Sequence, residues 1–112
     1  MATSSWKVFT STKKIAAAEK ILHRIKKAVD REVFDVRTEK YHKDDSIIYY
    51  YDMQHDLEYR PDLLYEVMTL ADILANHWEL SGAILTGPEG YSSSSCISGI
   101  DTIQWFIDWN KS

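Results

Sequence analysis

Apolar residues recur along this chain in two rhythms, one near 3.6 residues and one of two. The switches between them divide it into elements. Residues 6–11, WKVFTS, alternate and predict a short strand. Thr10, Ser11 or Thr12 can cap a helix after it, because a hydroxyl accepts a free first-turn amide. Over 13–29, Ile15, Ala18, Leu22, Ile25 and Val29 share one stripe, with Lys14, Lys20, Arg24 and Lys27 mostly outside it. That spacing predicts an amphipathic helix with one buried face.

The period-two rhythm returns at 32–40, EVFDVRTEK, where Phe34, Val36 and Thr38 oppose Val33, Asp35, Arg37 and Glu39. This predicts a strand with one face half wet. Residues 46–53, SIIYYYDM, are β-branched and aromatic and predict the next strand. Its Ile47, Tyr49, Tyr51 and Met53 share one face, and Ile48, Tyr50 and Asp52 the other. Pro61 suits the first turn of a helix, where its missing N–H costs nothing. From there Leu63, Leu64, Val67, Leu70, Ala71, Leu74 and Trp78 repeat at helical spacing.

Residues 78–85, WELSGAIL, read as a strand, and TGPEGYSSSS as a loop by its Gly, Pro and Ser content. In the last segment Asp101 and Gln104 have the spacing of a capping box. Ile103, Trp105, Ile107 and Trp109 nevertheless alternate cleanly against Gln104, Phe106 and Asp108, which favours a strand. The expected order is β-α-β-β-α-β-β. Two helices on one face of a mostly antiparallel sheet give an α+β two-layer sandwich, a ferredoxin-like variant with a C-terminal hairpin. With 112 residues, one domain over 1–112 is expected.

Charge changes the picture more than composition does. Residues 1–43 hold 11 Lys/Arg and 5 Asp/Glu, whereas residues 44–112 hold 2 and 12. The two halves can simply be solvated faces that attract each other, or the acidic half can receive a basic partner. One cysteine, Cys96, excludes an intrachain disulfide and a cysteine-built zinc site. It fits a reducing compartment, and a lone cysteine is most often a small buried hydrophobe. The N-terminus lacks a signal-peptide pattern and no apolar run is long enough to span a bilayer. A cytoplasmic protein with no membrane role is therefore expected.

The stretch DDSIIYYYDMQHD, 44–56, carries the densest candidate chemistry. His42, Asp44, Asp45, Asp52, His55 and Asp56 are suitable metal ligands, but a strand sends Asp52 and His55 to opposite faces, and no zinc-binding motif is present. TGPEG lacks the lysine of a phosphate loop. His23 and His77 are expected at exposed margins of helices, and no nucleophile–histidine pair is legible from spacing. No catalytic residue, cofactor or metal is assigned.

The aromatic residues give a sharper expectation. Trp6, Tyr49, Tyr51, Trp78, Trp105 and Trp109 are expected to build the core. Tyr50 and Phe106 then lie on the uncovered sheet face with Asp35, Arg37, Asp52, Glu79, Ser81, Gln104 and Asp108. Aromatic anchors in a charged rim suit a protein partner. Nucleic acid is disfavoured, because it needs Lys or Arg around the rings and only Arg37 qualifies. The expected partner surface is Tyr50, Asp52, Glu79, Gln104, Phe106 and Asp108, extended by the acidic loops at Asp44, Asp45, Asp56 and Glu58. Two alternatives stand beside it: a small-molecule, metal or enzymatic site on 42–58, and a homodimer paired through the open sheet.

In its acidic half, its Trp/Tyr-rich strands and the WELSGAIL and ISGIDTIQWFIDW segments, the chain resembles bacterial immunity proteins. These are the cognate inhibitors carried beside secreted or contact-delivered toxins. The resemblance implies tight binding to a toxin domain, often a basic nuclease, and blockage of its active site. It carries over no residue roles.

Overall fold

The computed structural model describes residues 2–83 and 86–109. Its elements run β1 (Ala2–Thr10), α1 (Ile15–Val29), β2 (Phe34–Lys40), β3 (Ile47–His55), α2 (Arg60–Leu74), β4 (Ala75–Asn76), β5 (Glu79–Ser81), β6 (Glu89–Ser92), β7 (Ser94–Ser95) and β8 (Ile100–Asp108). Six strands form one sheet in the order β2-β3-β1-β8-β6-β5, with every pairing antiparallel. β4 and β7 form a separate two-stranded ladder. The fold is an α+β sandwich, as the periodicities require. Its first four long strands follow the split βαβ order of ferredoxin-like folds. Among the described residues no helix is long and apolar enough to cross a membrane.

Both helices lay their apolar stripes on one sheet face. Ala18, Ile21, Ile25 and Val29 of α1 and Leu63, Val67, Leu70, Ala71 and Leu74 of α2 are buried. They pack with Trp6, Val8, Tyr49, Tyr51, Met53, Ile103, Trp105 and Ile107 in one continuous cluster. The inward phase of β3 and β8 is the expected one. Along α1 the stripe is rotated: Ile21 is buried, Leu22 is half-buried and Ile15 is exposed. The α1 N-cap is Lys14, and Thr12 serves the turn before it by accepting the Lys14 N–H. α1 closes on Asp30 in the left-handed region, with its N–H bonded to the Lys26 carbonyl. Trp78 and Trp109 are half-buried at the margin of the core.

Several expectations are corrected. β1 starts at Ala2, because Ser4, which reads as polar, is a fully buried hydrogen-bond hub. β2 is an edge strand exposed along its whole length, kinked by a register shift between Phe34 and Arg37, with Asp35 at φ 51°. The expected strand 78–85 is only Glu79–Ser81, and residues 84–85 lie outside those described. The expected C-terminal hairpin does not form, because β6 inserts between β5 and β8. β6 and β7 fall in the stretch that reads as a loop. His77 lies past the end of α2 at φ 54°, and Cys96 is exposed.

β6 reads as a loop because its inward residues are Gly90 and Ser92. Gly90 pairs with Trp105, and a Cβ at Gly90 would meet Trp105 Nε1 at 2.2 Å. The missing side chain is the space the indole occupies. Gly90→Ala should therefore cost about 1–3 kcal/mol through overpacking. Urea unfolding checks it, and stability equal to wild type would show that Trp105 repacks freely.

Candidate interaction surface on the open sheet face

The ladder registers fix which side chains stand together on the face the helices leave open, because residues directly opposite in an antiparallel pair share a face. Across the middle of the sheet runs a row of Arg37, Tyr50, Lys7, Gln104, Tyr91 and Glu79. The next row is Phe34, Asp52, Ser5, Phe106, Glu89 and Ser81. Phe106 is 50% exposed and Tyr91 41%. β1 lies between β3 and β8 and adds Lys7 at the centre of the face.

The face is divided electrostatically. On the β2–β3–β1 side Lys7 Nζ lies 4.8 Å from the Phe9 ring centroid and 5.5 Å from that of Tyr50, and the Arg37 guanidinium lies 5.7 Å from Tyr50. These cations shield the Tyr50 ring by cation–π contact. The β8–β6–β5 side differs: residues 61–110 contain seven Asp/Glu and no Lys or Arg. There Tyr91 and Phe106 stand among Glu79, Glu89 and Asp108. A ring of acids around both aromatic halves was expected. The exposed acids are concentrated on the β8–β6–β5 half, while the other half carries Glu39 on its edge strand and a buried Asp52.

The expected partner residues are accordingly regrouped. Glu79, Gln104, Phe106 and Asp108 share the acidic half. Tyr50 belongs to the cationic half. Asp52 is 2% exposed rather than on the rim, seated between Ser5 and Phe34 across the ladder. Asp44 and Asp45 lie in the β2–β3 turn, whereas Asp56 and Glu58 follow the opposite end of β3. Nine residues of strand separate the two acidic loops by about 27 Å, so they do not form one patch. Lys7, Glu89 and Tyr91 escaped the sequence reading. The signal for Lys7 was its place in the alternation of β1, while the Gly/Ser-rich context of β6 concealed the other two.

Segment 42–58 is also taken apart. His42 is exposed near one end of β3, and His55 is buried at the other. Among the described residues no group of three or more His, Cys, Asp or Glu is placed to hold a metal ion. His55 instead joins a buried chain of hydrogen bonds. Trp6 Nε1 donates to Ser4 Oγ at 2.9 Å, and Ser4 Oγ contacts His55 Nε2 at 2.7 Å. His55 Nδ1 meets Glu66 Oε2 at 3.1 Å, and Arg31 binds the other oxygen of Glu66. One proton arrangement satisfies every member: Ser4 donates to Nε2, and Nδ1–H donates to Glu66. The sequence of groups is that of a hydrolytic triad. Ser4 is fully buried, however, and its oxygen already accepts from Trp6, so no substrate reaches it. The chain ties β1, β3 and α2 together.

Burial holds the His55 pKa below its usual value, against the raising influence of Glu66. The unfolded chain therefore takes up the proton first as pH falls. The stability contributed is full above about pH 6.5 and is lost as pH falls toward the lower folded pKa. Unfolding free energy should drop on acidification from pH 7.5 to 5.5, and His55→Gln should flatten that dependence. Parallel pH profiles for the two proteins would count against a neutral buried His55.

The chain matches no protein-family model, and comparison with curated proteins and with solved structures finds nothing similar to it.

Proposed function

We propose that this chain is a protein-binding module that captures a basic protein on the β8–β6–β5 half of its open sheet face. The observation that carries this reading is the pair Phe106 and Tyr91, solvent-facing at mid-sheet, in a half that holds Glu79, Glu89 and Asp108 and no Lys or Arg. Exposed rings supply buried area and shape at little entropic cost, and the acids steer a basic partner and exclude acidic ones. The form of this activity implied by the resemblance of the sequence is immunity: binding a cognate toxin, such as a basic nuclease, and covering its active site.

The test is binding kinetics against the toxin domain encoded beside this gene, at two salt concentrations. Phe106→Ala should speed dissociation about tenfold or more, as a central anchor does. Glu79→Lys combined with Glu89→Lys should slow association and weaken its salt dependence. Both acids are exposed, so folding should change by no more than about 0.5 kcal/mol. If every variant binds like wild type, the half-sheet is not the interface. If no neighbouring product binds at all, the immunity form of the proposal fails.

A further inference from the structure

Where the 41–46 turn approaches the start of β8, a groove of about 300 Å³ opens on the same face. It is lined by Phe9, Tyr41, Tyr91 and Gln104, and its charged members are Asp44 and Asp101. No Lys or Arg lines it among the described residues. We infer that this groove is a guanidinium-binding subsite that receives an arginine side chain of the basic partner, an inference that rests on the reading of the open face as a protein-binding surface.

The groove is preorganised. Phe9 and Tyr41 lock edge to face with centroids 5.6 Å apart. Asp44 is fixed by the Ser46 N–H at 3.0 Å and the Ser46 hydroxyl at 2.7 Å, both donated to Oδ1. Those two bonds, the side-chain one first, hold its carboxyl pKa below the usual value, so it stays charged wherever a basic side chain would be recognised. With Oδ1 engaged, Oδ2 is the oxygen a ligand would use.

The aromatic walls are not equivalent. Lys7 lies against Phe9, and Lys43 stands 6.0 Å from the Tyr41 centroid, so the protein's own ammonium groups already use those two rings. Among the described residues no cation lies over Tyr91, which is left as the open stacking surface. A planar cation stacked on Tyr91 would have Asp101 and the Gln104 carbonyl, which line the same groove, as acceptors for its N–H groups. Arginine has that shape, whereas a lysine ammonium is a compact point charge.

The experiment is an amide NMR titration of the whole chain with N-acetylarginine methylamide, using the neutral isostere N-acetylcitrulline methylamide as control. The arginine probe should give saturable shifts at Tyr91, Asp101 and Gln104, and the citrulline probe none. Asp101→Asn and Tyr91→Ala should each weaken the arginine response about tenfold, the loss expected from one charge-assisted contact. Both positions are exposed, so an unchanged spectrum elsewhere confirms that the variants are folded. Equal shifts from both probes, shifts centred on Glu79 and Glu89, or full binding by either variant would each overturn the subsite. The titration needs no protein partner. A bound probe with no toxin captured would leave the subsite standing and remove the immunity reading. A silent groove with a strong Phe106→Ala effect on a partner would do the reverse.

Discussion

Trp6→Ala should lower the unfolding free energy by about 3–5 kcal/mol, a large share of the roughly 5–15 kcal/mol that holds a domain together. Trp6 is 1% exposed, stacks on Tyr51 with centroids 6.1 Å apart and planes 4° from parallel, and lies 6.5 Å from Trp105. Truncation removes most of that apolar area and leaves a cavity between β3 and β8. It also removes the donor to Ser4 Oγ, which loosens the hydrogen-bond chain to His55. Trp6→Phe separates the two effects. It keeps most of the ring packing and loses the indole N–H, so it should cost much less than the alanine variant. Denaturant unfolding measures both, and a Trp6→Ala protein within about 1 kcal/mol of wild type would show that the core collapses around the gap.

Leu74→Ala should cost about 2–5 kcal/mol through lost burial and cavity formation. Leu74 is fully buried at the last turn of α2. Its carbonyl is a junction as well, accepting from the Cys96 N–H at 2.8 Å and from Ser95 Oγ at 3.2 Å. The backbone bonds survive the substitution, so the loss should report packing alone. A midpoint shift without a change in the denaturant slope is the expected signature. Wild-type stability in Leu74→Ala would mean that the end of α2 is not docked on the sheet.

The two predictions differ in how far the sequence alone could make them. The phase of α2 was legible, because Leu63, Val67, Leu70 and Leu74 repeat at a spacing only one helical face satisfies. That Trp6, Trp105, Tyr49 and Tyr51 point inward was legible from alternation. Phe106 and Gln104 were placed on the open face for the same reason. The role of Ser4 was not. A buried hydroxyl looks like any surface serine until its partner, 51 residues away in sequence, is brought to it.

Asp52 marks the limit of the pattern most clearly. Alternation assigned it to the right face and to the wrong depth. Side is a local property of a strand, set by a period of two. Depth depends on the neighbouring strands, here Ser5 and the kinked edge residue Phe34. Lys7 is the complementary case: β1 takes the position between β3 and β8, so one lysine becomes the centre of a face that seemed to hold a single cation.

The sequence by itself determined the two helices, the inward faces of β1, β3 and β8, the α+β class and the acidic bias of the C-terminal half. Each follows from spacing or composition within a single segment. Only the tertiary structure decided that β6 is a strand and that Gly90 makes room for Trp105. It alone separated the acidic loops and divided the open face into a cationic and an acidic half. Those outcomes depend on strand order and register, and both are set by contacts between residues far apart along the chain, where local periodicity carries no information.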